Sequence, residues 1–214
     1  MGLFPFFVDI KGARGLLIGG NKHAWEKLER LLPYGPHLEV IGTEFCPAME
    51  TSLKEAEEKV TVLRRDFMDS DLTPPPAFVV VSTGDAEMDH RISLLCQEQR
   101  IPVNVVDDQP YCTFVFPSLI HHGSLSIGIS TAGASPATAV WLRKKMEAQI
   151  PADVEDILEW LQSKRPQILA ALPQKKTRFD FYHKLTAICM EENRILPEEA
   201  FAALLDEATA AACR

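Results

Sequence analysis

The sequence predicts an α/β fold, a doubly wound parallel sheet in the first half of the chain followed by a purely helical last third. Three observations predict it. Short apolar runs alternate with stretches of helical periodicity as far as residue 106. One run, Ala77-Phe78-Val79-Val80-Val81, is apolar throughout, as a strand must be when both faces of its sheet are covered. Beyond Asp153 only the three- and four-residue spacing of helices remains.

The elements follow in order. Residues 15–18 form a strand that stops at Gly19-Gly20. Ala24, Leu28, Leu31 and Leu32 mark a helix, ended by Pro33 and Gly35-Pro36. Residues 38–41 form a second strand, 49–59 a charged amphipathic helix, and Val60–Leu63 a third strand. Pro74-Pro75-Pro76 is a loop before the apolar fourth strand, 77–81. A helix over 88–99 turns Ile92, Leu95 and Cys96 inward, and 103–106 is the fifth strand. Strand–helix alternation of this kind builds a parallel sheet.

After Cys112 the pattern changes. Residues 114–117 and 125–130 are predicted as two strands separated by His121-His122-Gly123. A loop of small residues then leads into a basic helix over 137–149, which Pro151 closes. Pro166, Pro173 and Pro197 are predicted helix breaks in the final third.

Composition excludes several functions. The 214 residues allow one large domain or one domain with an appendage. Thirty acidic residues against 22 basic ones give a charge of −8. That argues against a nucleic-acid binder, which needs a basic footprint, and against docking on an anionic membrane. No apolar run approaches the roughly 18 residues of a membrane span. The N-terminus, from Met1 to Phe7, has no basic region and is not read as a signal peptide. A cytoplasmic protein is expected. Five cysteines, Cys46, Cys96, Cys112, Cys189 and Cys213, contain no Cys-x-x-Cys pair and are read as idle or buried thiols. The six histidines have no metal-ligand spacing, so no resident metal is expected.

Three segments could carry chemistry. In the first, Gly19, Asn21 and Ala24 occupy the three positions of the dinucleotide fingerprint G-x-G-x-x-G/A, between a strand and a helix as a Rossmann-like fold requires. Gly19 suits the tight turn and Ala24 close helix–strand packing. Asn21 stands where a glycine usually lets backbone approach a pyrophosphate, and asparagine tolerates left-handed geometry better than most residues. Glu44, after the second strand, is placed to accept from a ribose hydroxyl. The other reading is a Rossmann-like turn that no longer binds NAD well. In the second segment, Asp107 and Asp108 follow the fifth strand at the end where α/β sheets place ligands. Neighbouring acids can be driven apart in pKa and leave one as a base, although Asp before Gln-Pro is also a good turn former. The third is Ser130-Thr131-Ala132-Gly133-Ala134-Ser135-Pro136, with Ser135 as N-cap and Pro136 as first helical residue. It can hold an anion or form a tight loop at a subunit contact. Arg143, Lys144 and Lys145 follow on the helix, as a solvated face or a local basic patch.

Together these segments resemble the N-terminal part of the siroheme-synthase family, the precorrin-2 dehydrogenases and sirohydrochlorin ferrochelatases. The resemblance rests on Phe4-Pro5-Phe6-Phe7-Val8-Asp9-Ile10-Lys11-Gly12, the Gly19-Gly20 turn and Val81-Ser82-Thr83-Gly84-Asp85. It continues through Val103-Asn104-Val105-Val106-Asp107-Asp108, Cys112-x-Phe114-x-Phe116-Pro117-Ser118, and Ile129-Ser130-Thr131-x-Gly133-x-Ser135-Pro136 with Leu142-Arg143 and Glu147. Asn21, His23 and Ser82-Thr83-Gly84-Asp85 differ from the family pattern.

The resemblance implies oxidation of precorrin-2 to sirohydrochlorin with NAD, with Fe²⁺ insertion in some members. It implies a Rossmann-like NAD-binding domain over 1–112, a dimerisation segment over 113–151 and a helical C-terminal domain over 152–214. Asp107 becomes the catalytic residue. Gly19, Gly20, Asn21, Lys22, His23, Thr43, Glu44 and Thr83 become the cofactor set. Ser130, Thr131, Gly133, Ser135, Arg143 and Lys144 become the substrate set. The implied partners are a tetrapyrrole bearing eight carboxylates, Fe²⁺ or Co²⁺ as substrate, and a second copy of the chain. Two alternatives remain: a chelatase whose altered glycine loop has cost it the dehydrogenase activity, and a non-catalytic tetrapyrrole binder.

Overall fold

A computed structural model of the chain describes residues 2–212. Phe4–Phe116 form one compact unit, and the chain from Pro117 onward forms another.

The first unit is built on five parallel strands, β1 (Arg14–Ile18), β2 (His37–Ile41), β3 (Val60–Leu63), β4 (Phe78–Val81) and β5 (Val103–Val105), in the order β3-β2-β1-β4-β5. Three helices connect them, α1 (Lys22–Leu31), α2 (Pro47–Glu55) and α3 (Ala86–Glu98). The apolar strands are explained by what covers them. Leu17, Leu38, Val40 and Val80 pack with Ala24, Leu28, Leu31, Met49 and Leu53 of α1 and α2. Leu16, Ile18, Ile41, Val79 and Val81 point the other way, against Ile92 and Cys96 of α3. Successive residues of β1 and β4 thus serve opposite cores, which is why these two central strands carry apolar side chains on both faces. Burial pushes the Cys96 thiol up to about 12. Cys46, Cys96, Cys112 and Cys189 are free thiols, and Cys213 lies outside the described residues.

Both ends of α2 and the start of α3 differ from expectation. α2 starts at Pro47, whose fixed φ suits a first helical residue, and stops at Glu55, so residues 56–59 form a turn rather than more helix. α3 starts at Ala86 because the Asp85 carboxylate accepts from the Glu87 and Met88 amides.

A half-buried ion pair follows β3. Arg65 donates to both carboxylate oxygens of Asp71, at 2.8 and 2.6 Å, and the Met68 amide donates to the same group. Asp71 is only 7% exposed. The Arg65 guanidinium holds the Asp71 carboxyl below its usual range. A depressed native pKa gives stability that is present above the ordinary value of 3.8 and lost as pH falls through the native one. Asp71→Asn is therefore expected to cost about 1–3 kcal/mol in urea unfolding at neutral pH. The difference from wild type should shrink once the pH drops below 3.8.

The second unit holds an antiparallel hairpin, β6 (Ser118–His122) and β7 (Leu125–Ile129), and four helices, α4 (Pro136–Glu147), α5 (Val154–Ala171), α6 (Lys175–Glu192) and α7 (Glu198–Ala212). The expected strand at 114–117 is displaced. His121 and His122 lie inside β6, and the turn falls at Gly123-Ser124. Phe114 and Phe116 belong instead to the first unit, where they pack on the α1–α2 core. Their alternation with Val115 imitates a strand, but the Thr113 and Phe114 amides both donate to the Val103 carbonyl. Pro166 does not break α5, which runs through it. Ile157 before it and Ile168 after it are both fully buried in the core shared with Phe181, Leu185 and Phe201, and packing on either side outweighs the lost amide. Pro173 and Pro197 do fall between helices. Among the described residues, no helix is long and apolar enough to cross a membrane.

Candidate functional site

The site begins at the turn after β1. Gly19 has φ +120°, and a Cβ there would lie 1.9 Å from the Ser82 carbonyl oxygen. A Cβ on Gly20 would lie 1.8 Å from the Glu44 carbonyl oxygen. The Cys46 amide donates to the Gly20 carbonyl at 2.7 Å. The turn is thus clamped between the exits of β4 and β2, and only glycine fits either position.

Asn21 is not left-handed as its substitution for glycine suggests. Its backbone is extended, φ −76° and ψ 176°, and it caps α1. The side-chain oxygen accepts from the Ala24 amide at 2.9 Å and from the Ser82 hydroxyl at 3.1 Å, and the side-chain nitrogen donates to the Ser82 carbonyl at 2.8 Å. Both ends of the amide are engaged with the protein itself. The Lys22 and His23 amides are the remaining donors of the first turn, with the positive end of the helix dipole behind them.

A cleft of about 520 Å³ opens over the carboxyl ends of β1 to β4. Gly19, Gly20, Asn21, Thr43, Glu44 and Thr83 all line it, so six residues of the expected cofactor set meet in one place. Lys22 and His23 do not line it; their side chains are exposed on α1, and His23 faces Glu26. Sequence reasoning missed Arg65, Phe67, Asp85 and Met88 in the same wall. The available signal was position, since they follow β3 and β4 at the edge where such sheets bind ligands. A helix N-terminus, a glycine turn and an acid after β2, gathered around a cleft of this size, fit a dinucleotide.

The two aspartates after β5 part company. Asp108 Oδ2 lies 2.6 Å from His90 Nε2, and the His90 ring stacks on Tyr111 at 3.6 Å and 8°. Asp107 sits at φ +62°, exposed, and its side chain makes no hydrogen bond among the described residues. Left-handed geometry is uncommon for a residue other than glycine, with aspartate among the better tolerated. Cys112 Sγ, 3.1 Å from the Val105 carbonyl and 3.3 Å from that of Asp108, helps fix this loop. Burial pushes the Cys112 thiol up. Lys27 was also missed. Its ammonium lies 4.9 Å over the Phe116 ring, and burial pushes its pKa down, aided by Arg30, while the charge of Asp107 opposes the shift. Its spacing from Ala24 and Leu31 put it on the margin of the apolar stripe, where a lysine reads as solvated.

The expected substrate set lies on the second unit. Ser130, Thr131, Gly133 and Ser135 form the loop between β7 and α4, and its hydroxyls largely serve the loop itself. Thr131 Oγ1 donates to the Ser135 carbonyl and accepts from the Ser135 amide, while the Ser130 hydroxyl accepts from the Ala132 amide. Ser135 caps α4 by accepting from the Thr138 amide, with Pro136 first in the helix. Arg143 is paired with Glu147 at 2.5 Å, whereas Lys144 is exposed with no ion pair among the described residues.

Comparison with known proteins follows the same division of the chain. Residues 6–118 match the family model described as "Putative NAD(P)-binding", and residues 122–149 match "Sirohaem biosynthesis protein central". The siroheme synthase of Thioalkalivibrio sulfidiphilus is 31% identical over 185 residues, 86% of this chain and 37% of that protein. That of Neisseria meningitidis serogroup C is 31% identical over 184 residues, 86% of this chain and 38% of that protein. The chain thus spans less than two fifths of the length of these two curated relatives. Among solved structures, "SirC, precorrin-2 dehydrogenase" superposes with a TM-score of 0.67 at 21% identity, covering 96% of this chain and 98% of that one, a likeness of fold. With the NAD(P)-binding model over more than half its length and the sirohaem model directly after it, the chain belongs to the siroheme-synthase N-terminal family.

Proposed function

We propose that the protein oxidises precorrin-2 to sirohydrochlorin with NAD⁺. The observation that carries this reading is the pairing of a dinucleotide cleft over β1–β4 with an uncommitted carboxylate, Asp107, at the end of the next strand. Family membership and the names of the relatives support it. The engaged side chain of Asn21 speaks for retained NAD use over a turn that has lost it.

Gly19, Gly20 and the α1 N-terminus would receive the pyrophosphate, and Glu44 a ribose hydroxyl. When bound, NAD⁺ supplies the hydride acceptor. Removing two hydrogens from precorrin-2 also releases a proton, and an Asp107 Oδ atom takes it. The same carboxylate can accept pyrrole protons while Fe²⁺ or Co²⁺ enters as substrate, which adds a chelatase (lyase) activity to the proposal. Segment 113–151 is proposed to join two copies into a homodimer, 1–112 and 152–214 serve as the NAD-binding and helical domains, and the cytoplasm is the proposed location.

A substrate with eight carboxylates needs local positive charge on a chain of net −8. Lys144 and Lys145 are the proposed source, joined by Arg143 to the extent that Glu147 leaves it free. Reversing both lysines to glutamate should weaken sirohydrochlorin binding at least about tenfold at low salt. Unchanged affinity in a fluorescence titration would remove them from the substrate set. Anaerobic incubation with precorrin-2 and NAD⁺, followed by Fe²⁺ or Co²⁺, separates the two activities by absorbance. Sirohydrochlorin before metal and its metal complex after it are the expected sequence.

A further inference from the structure

The first turn of α3 is tied to two loops by adjacent residues. Asp89 accepts from the Thr83 amide at 3.0 Å and from the Thr83 hydroxyl at 2.5 Å, which fixes the β4 exit that lines the cleft. His90, the next residue, meets Asp108 at 2.6 Å and stacks on Tyr111. Ser93, one turn on, donates to the Tyr111 carbonyl at 2.6 Å. The Tyr111 amide in turn donates to the Asp108 carbonyl. The loop that carries Asp107 is thus held from both ends of a short 3-10 turn, Gln109–Tyr111.

That restraint has a purpose. Asp107 is held in the left-handed region, which an unconstrained loop would leave for an extended or helical conformation. The His90–Asp108 contact supplies a restraint one residue away, and it removes the second carboxylate from competition for the same proton.

Resting on the reading of Asp107 as the base, we propose that His90 is a positioning residue: through Asp108 and Tyr111 it holds Asp107 at a fixed place relative to the dinucleotide cleft. It touches neither substrate nor cofactor in this role. With the Nε2–H tautomer His90 donates to Asp108 Oδ2, and the ring face contributes the stack.

Two substitutions separate these contributions. His90→Phe keeps a ring for Tyr111 and loses the donor. His90→Gln keeps a donor at nearly the Nε2 position and loses the ring. Steady-state oxidation of precorrin-2 is measured for both, beside Asp107→Asn, with NAD⁺ affinity by titration. The expected result is a kcat roughly ten- to a hundredfold lower for His90→Phe, the cost of a misplaced group, with NAD⁺ affinity held within about twofold. His90→Gln should recover most of the rate. Adding Asp108→Asn to His90→Phe should cost little more, since the two act through one contact.

Wild-type turnover in His90→Phe while Asp107→Asn is inactive would overturn the proposal and leave the function standing. So would a His90→Gln rate no better than that of His90→Phe. Loss of NAD⁺ binding by both His90 variants would mark a structural role and overturn it too. Full turnover in Asp107→Asn would remove the base itself, and the positioning role with it.

Discussion

Asp107→Asn is expected to lower precorrin-2 oxidation by roughly a hundred- to ten-thousandfold, the range over which a positioned base contributes. NAD⁺ affinity should stay within about twofold, because Asp107 does not line the cleft. The substitution keeps size and shape and removes the ability to take a proton together with the negative charge that Lys27 feels. Asparagine also tolerates the φ of +62° at this position, so the loop geometry should survive. Asp108→Asn serves as the comparison. Its carboxylate is already engaged by His90, so its effect should come through position and be smaller. Equal losses at both positions, measured as kcat/KM under anaerobic conditions, would contradict the assignment of the base to Asp107.

Gly19→Ala is expected to weaken NAD⁺ binding more than about tenfold and to destabilise the first unit by about 1–3 kcal/mol. Two penalties coincide there. The new Cβ would meet the Ser82 carbonyl oxygen at 1.9 Å, and φ is +120°. The obstacle is backbone at the exit of β4, so no rotamer change relieves it, and the turn must move away from the α1 N-terminus. Gly20→Ala should behave similarly, since its obstacle is the Glu44 carbonyl at 1.8 Å. Gly84→Ala is the control. Gly84 shares a positive φ, +92°, but a Cβ there meets nothing within 4 Å. It should lose some stability through strain and little NAD⁺ affinity. Titration of NAD⁺ against the three variants, with thermal unfolding alongside, distinguishes clash from strain. Losses in Gly84→Ala as large as those in Gly19→Ala would show that backbone strain, rather than the clash, sets the turn.

Much of this site was legible in the sequence because each feature is local. Gly19 and Gly20 end an apolar run, Ala24 opens a helical stripe, and Asp107 follows a buried strand. Such signals lie within a few residues of one another, and the parallel sheet follows from their alternation. What was not legible depends on distant partners. Asn21 read as a defective glycine, because Ser82, 61 residues away, supplies the contacts that make it a cap. Phe114 and Phe116 read as strand because only the folded core shows where their rings go. Pro166 read as a break because the burial of Ile157 and Ile168 on either side is a tertiary fact. The same limit hid Lys27, whose neighbours Phe116 and Asp107 arrive from the other end of the unit. It also hid His90, which gains meaning only when Asp108 is brought to it.

The most direct measurement is the yield of NADH per sirohydrochlorin, followed anaerobically with purified protein, precorrin-2 and saturating NAD⁺. One NADH for each sirohydrochlorin in the wild type, with both lost together in Asp107→Asn, is the predicted result. Sirohydrochlorin formed without NADH, or neither product at saturating NAD⁺, would contradict it.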